Sequence, residues 1–203
     1  MKILIACEYS GRVRDAFIKQ GHQAVSCDLL PSESDGPHYQ GNVLDILNDG
    51  WDMMIAHPPC TDLAVSGAAW FAKKRADGSQ QRSIDFFMAL VNAPIPRICI
   101  ENPVGIMSTV YRRPSQIIQP WMFGHLESKA TCLWIEGMPL LKQTNVVYNE
   151  MMALPKNKRM RLHYLPPSKD RGKIRSETYQ GIADAMAYQW GVAYETHPIS
   201  TTT

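Results

Sequence analysis

The chain has 203 residues, 45% hydrophobic and 20% charged, with a net charge of +2 at pH 7. This is ordinary globular composition, long enough for one domain over residues 1–203 with a sizeable core. No apolar run reaches the roughly 18 residues of a membrane span, and the MKILIAC start lacks a signal peptide's apolar core and cleavage site. Five cysteines without a C-x-x-C spacing argue against a disulfide framework or a standard zinc site. A cytoplasmic protein is expected, monomeric, without a bound metal and without a membrane partner.

Residues 2–8 read as a first strand, followed by a helix over 11–20 that Ser10 caps and Gly21 ends. Val13, Ala16 and Phe17 give that helix its inner face. Residues 23–29 form a second strand closing on Asp28, an acid about 20 residues past the first strand–helix turn. Nucleotide-binding folds use such an acid on a ribose hydroxyl; a plain strand-end aspartate is the alternative. No G-x-G-x-x-G is present, and Glu8-Tyr9-Ser10-Gly11 occupies the turn. A turn-rich loop over 31–37 precedes 42–47, where Asp45 is a cap or a surface charge.

Residues 51–67, WDMMIAHPPCTDLAVSG, are the centre of the chain. The apolar run Met53–Ala56 has the pattern of a strand buried on both faces. Pro58 and Pro59 stop it, which sets Cys60 just beyond a strand's carboxyl end, where open α/β sheets bind ligands. His57 either tunes that thiol or satisfies strand-end backbone. Residues 62–81 read as a mobile loop over the site. Ser83 is expected to cap a helix striped by Ile84, Phe87, Met88 and Val91. Residues 95–103 then repeat the earlier grammar, an apolar strand ending in Glu101-Asn102 and a stopping proline. Cys7, Cys27 and Cys99 fall in expected strands and read as reduced core thiols.

Residues 106–119 suggest a short helix between loops, 130–135 a strand, and 179–190 a helix ended by Gly191, with a frayed tail to residue 203. Between them, 141–178 is loop-rich and basic. Residues 156–175 hold eight of the 21 Lys and Arg with one acid, Asp170, a local +7. The remainder has 13 basic against 18 acidic residues, or −5. Such a stretch is either a polyanion-binding face or a solvated loop.

Pro59-Cys60 with Gly67 seven residues past the cysteine, then Glu101-Asn102 after the next strand, resembles the DNA cytosine-5 methyltransferases, most of all their short, phage-type members. Thr61 stands where the family has glutamine, and Pro103 where it has valine. The resemblance implies a doubly wound, Rossmann-like α/β sheet that binds S-adenosylmethionine, with a reduced target-recognition region at 141–178. It implies cytosine-containing DNA as partner, in the host cytoplasm for a phage-encoded protein. Cys60 would be the nucleophile, with Glu101 and Asn102 holding the base. Glu8, Tyr9, Ser10, Gly11, Asp28, Asp45 and Pro58 would hold the cofactor, Asp45 near its adenine. Lys129, Lys169, Arg171, Lys173 and Arg175 would meet nucleic acid, Lys129 nearest the target base.

The residue types suit that chemistry. Carbon-5 of cytosine is a poor nucleophile until a thiolate adds to carbon-6, and cysteine both attacks and leaves readily. Negative charge then reaches N3, where a hydrogen-bonding carboxyl lowers the barrier, helped by a burial-raised pKa. Asn102 would hold the loop or the base. Water or another base then removes the carbon-5 proton, and a duplex target must flip its cytosine out. Two other readings stay open: a same-fold enzyme acting on a free pyrimidine nucleotide, and a catalytically decayed nucleic-acid binder.

Overall fold

The computed structural model describes residues 1–196, and side chains as far as 191. Seven strands, β1 (Lys2–Ala6), β2 (Gln23–Asp28), β3 (His38–Gln40), β4 (Met53–Ala56), β5 (Ile98–Pro103), β6 (Gln116–Ile118) and β7 (Thr131–Glu136), form one sheet. Their order is β3-β2-β1-β4-β5-β7-β6. The first five are parallel, while β7 runs antiparallel to both β5 and β6. This is the doubly wound, Rossmann-like α/β class expected from the sequence.

The helices are α1 (Arg12–Lys19), α2 (Phe71–Ala76), α3 (Ser79–Val91), α4 (Met107–Val110), α5 (Tyr148–Ala153), α6 (Lys156–Arg159), α7 (Arg171–Ser176) and α8 (Gln180–Thr196). Strand side chains alternate between the sheet's two faces. Ile3, Ile5, Met53, Ile55, Cys99 and Leu133 pack with Phe17 of α1 and with Ile182, Met186 and Trp190 of α8. Leu4, Ala6, Met54, Ile98, Ile100 and Trp134 pack on the other side with Phe87 and Leu90 of α3. Both faces are covered, which is why these strands read as unbroken apolar runs. No helix among the described residues is long and apolar enough to cross a membrane.

Several expectations need correction. β1 ends at Ala6, and Cys7 turns out of it with a left-handed φ of 59°. Cys7 is therefore half-buried rather than a core thiol. The cap of α1 is Gly11, at φ 74°, not Ser10. A Cβ at Gly11 would collide with Ser34 Oγ and the Arg14 guanidinium. Residues 62–81 are not a loop: Val65–Trp70 is a 3-10 helix leading into α2, and α3 begins at Ser79. Ser83 lies inside α3 and donates to Asp62 Oδ2 at 3.0 Å. β3 lies in the gap between the stretches 31–37 and 42–47, β6 lies in the stretch expected to be a short helix between loops, and 141–178 contains three short helices. α8 continues past Gly191 to Thr196. The tail from 197, expected to fray, lies outside the described residues.

Candidate active site

Register fixes the site's floor. Ala6, Ala56 and Ile100 are neighbours across β1, β4 and β5, so the three strands finish at one rim. His57 N–H extends the ladder by one bond to the Ala6 carbonyl at 2.9 Å. Pro58 and Pro59 have no N–H to offer, and the chain leaves the sheet there. The Cys60 carbonyl then accepts from Leu63 N at 3.1 Å and Ala64 N at 2.9 Å, which closes a tight turn.

β5 outruns its neighbours because β7 pairs it as far as Pro103. That pairing carries Glu101 and Asn102 to the rim. Asn102, 2% exposed, donates from Nδ2 to the Pro58 carbonyl at 2.8 Å. Its amide thus holds the cysteine loop against β5. A second tie lies further out, where Ala64 bridges Gly105, Val65 N donates to Val104 O, and Ile106 N donates to Leu63 O.

His57 Nδ1 and Glu101 Oε2 lie 2.8 Å apart, and both side chains are nearly buried. Burial alone would lower the histidine's pKa, but the Glu101 hydrogen bond and charge, with Glu8 adding, raise it above 6.5. Burial alone would raise the Glu101 carboxyl; the His57 hydrogen bond and the Lys129 and His57 charges bring it below 4.5. The expected burial-raised carboxyl is therefore reversed by its histidine partner. Burial pushes the Cys60 thiol up, and the Glu101 charge adds to this. Lys129 and Arg175 pull it the other way.

One open cavity of about 110 Å³ gathers Cys60, Glu101, Asn102, Glu8, Tyr9, Ser10, Pro58, Lys129 and Arg175. Its wall also includes Cys7, Pro59, Pro103, Ser176, Glu177 and Thr178, which sequence reasoning did not assign to the site, and His57, for which it offered tuning of the thiol beside a strand-end backbone role. His57 had a signal in its place one residue before the stopping prolines. The 176–178 stretch had none, because it arrives through contacts far along the chain. Tyr9 Oη meets Ser176 Oγ at 3.2 Å, Arg12 pairs Glu177 at 2.8 Å, and Lys129 Nζ donates to the Arg175 carbonyl at 3.0 Å.

The remaining candidates are not on this wall. Gly11 sits at the start of α1. Asp28 ends β2, its Oδ1 accepting from Leu30 N at 2.9 Å, and Asp45 is exposed in a 3-10 turn over Val43–Asp45. Lys169 is exposed, Arg171 has a buried Nε without a partner, and Lys173 pairs with Glu33. Glu8 lines the cavity, yet its carboxylate is occupied. It accepts from Val13 N at 2.7 Å, Arg14 N at 3.2 Å and Ser10 Oγ at 3.3 Å.

No family model and no curated protein matches the chain. Among solved structures it matches a crystal structure of an E. coli prophage-encoded protein assigned as a DNA modification methyltransferase. Identity is 15% and the TM-score 0.45, over 76% of this chain and 55% of that one. The chain thus spans about half the length of that protein. The chemistry is read from the residues.

Proposed function

We propose that the protein methylates carbon-5 of cytosine in DNA, taking the methyl group from S-adenosylmethionine and using a covalent Cys60 adduct. The observation that carries this reading is the meeting of a strand-end thiol with a Glu-Asn pair on one cavity. The loops after β1 and β4 border that cavity, and these strands flank the point where the strand order reverses, the usual ligand crevice of such sheets.

The cofactor fits what the first loop offers. The α1 amides of Val13 and Arg14 are already accepted by Glu8, so they are not free to cradle a phosphate. A cofactor without a pyrophosphate suits this loop better than a dinucleotide. Tyr9, Ser10, Gly11 and Pro58 would border it, Asp28 would take its ribose hydroxyls, and Asp45 would approach its adenine. Glu8 would act by shaping the turn. When bound, S-adenosylmethionine supplies an electrophilic methyl group.

The chain's own residues do the rest. Cys60 gives its proton to water and adds as a thiolate to carbon-6, with Lys129 and Arg175 favouring the anion. Glu101 hydrogen-bonds N3 as charge develops there. Asn102 keeps the nucleophile's loop in register with Glu101 through its bond to Pro58. Lys129 and Arg175 at the cavity also bring a phosphate partner within reach of Cys60, which supports a second reading with a free pyrimidine nucleotide as substrate. Incubation with labelled cofactor and either duplex DNA or dCMP, followed by mass spectrometry, separates the two. We expect 5-methylcytosine in DNA; label in dCMP alone would favour the second reading, and label in neither would refute both.

A further inference from the structure

His57 and Glu101 are a buried pair whose geometry does more than neutralise charge. Nδ1 meets Oε2 at 2.8 Å, while Nε2 is buried with no partner. Glu101 lines the cavity, and among the described residues its Oε1 is neither hydrogen-bonded nor fully buried. The carboxylate is therefore held by one oxygen and presents the other. Facing the histidine are Glu101 from β5, Glu8 from the loop after β1, and Lys129 from the approach to β7.

We propose that His57 is the positioning residue for Glu101, fixing Oε2 and keeping a proton on the pair that Oε1 presents to the ring nitrogen of a bound cytosine. This rests on the cytosine reading above. The pair holds the same number of protons in two forms. One is an imidazolium beside a carboxylate; the other is a neutral imidazole, hydrogen on Nδ1, beside a carboxyl with its proton on Oε1. Both leave the buried Nε2 without a partner, as a donor in the first and as an acceptor in the second. An unprotonated N3 placed at Oε1 selects the second.

The proton count closes. As the Cys60 sulfur bonds to carbon-6, the ring's π electrons shift to a C4=C5 bond and onto N3, and the Oε1 proton moves to N3. Glu101 is left a carboxylate, still held by Nδ1–H of a neutral His57. After methyl transfer, carbon-5 loses its proton to a base and the C5=C6 bond re-forms as the sulfur leaves. N3 then returns its proton to Oε1. Uracil and thymine already carry hydrogen on N3, which the carboxylate form can accept but which leaves N3 no place for the Oε1 proton, so this proton transfer is specific to cytosine.

The test compares methyl transfer to DNA by the wild type and by His57→Gln from pH 6 to 9. Glutamine can still donate to Oε2 but brings no titrating proton. We expect kcat to fall about 10²-fold at pH 8, with KM unchanged. The alkaline limb should move toward acid by at least about one pH unit, so that the deficit narrows at pH 6. A uniform loss at every pH, or no loss, would overturn the inference while leaving the methyltransferase reading intact. A wild type that transfers no methyl to cytosine would overturn both. If His57→Gln does not fold, imidazole NMR of the wild type and Glu101→Gln decides: His57 should titrate above its ordinary value only in the wild type, and identical titrations would refute the pairing.

Discussion

Glu8 closes the N-terminus of α1 from outside the helix, a task the sequence suggested for Ser10. With Glu8→Ala, two buried amides lose their acceptor, and unfolding in urea should show a loss of about 1–3 kcal/mol. A loss under about 0.5 kcal/mol would mean that the loop repacks without it. The His57–Glu101 pair makes a pH prediction at the same scale. Glu101's folded pKa lies below 4.5, so its contribution is present above that value and lost as pH falls through the folded pKa. The folded pKa of His57 lies above 6.5, so its contribution is present below 6.5 and lost as pH rises through the folded pKa. Both are present together between pH 4.5 and 6.5. Relative to Glu101→Gln, wild-type stability should peak in that window, which denaturant midpoints across pH will show. A difference independent of pH would remove the ion pair from the account.

At the scale of elements, the cysteine loop and the loop after β5 are tied together by their backbones at Ala64 and Gly105. A Cβ on Gly105 would collide with the Leu63 carbonyl. Gly105→Ala should therefore cost about 1–3 kcal/mol and lower kcat by displacing Cys60 from Glu101, with cofactor affinity kept. Normal turnover in that variant would show that the tie is dispensable. The buried parallel strands β1, β4 and β5 were legible because burial on both faces leaves continuous apolar runs. Helices α2 and the start of α3 were not. Their stretch is ordered by polar contacts between residues far apart, in which Asp62 pairs with Lys74 at 3.1 Å, accepts from Ser83, and takes the Gln80 amide on its carbonyl at 3.1 Å. Periodicity carries no trace of such bonds. β3 and β6 are three residues each, too short to show alternation.

Across the whole molecule, proline stops and strand-end polar residues marked Cys60 and Glu101 in the sequence. Their bond partners were hidden because His57 meets Glu101 only through the β4–β5 register. The basic stretch divides in three dimensions: Arg175 faces the cavity, Lys173 pairs with Glu33, and Arg161 pairs with Glu127 at 3.0 Å. Lys156, Lys158 and Lys169 stand exposed and are the better candidates for phosphate contact. If about four phosphates are met, log K against log salt on duplex DNA should have a slope near −3 to −4. Replacing these three lysines by alanine should flatten it without changing cofactor binding, and an unchanged slope would locate the contacts elsewhere.

The central claim is that Cys60 bonds covalently to carbon-6 of cytosine. DNA containing 5-fluorocytosine should trap that state with S-adenosylmethionine present, because fluorine cannot leave as a proton. Peptide mass spectrometry after denaturation should place the adduct on Cys60, and Cys60→Ser should lose it while still binding cofactor. An adduct on another cysteine, or none with the wild type, would contradict the account.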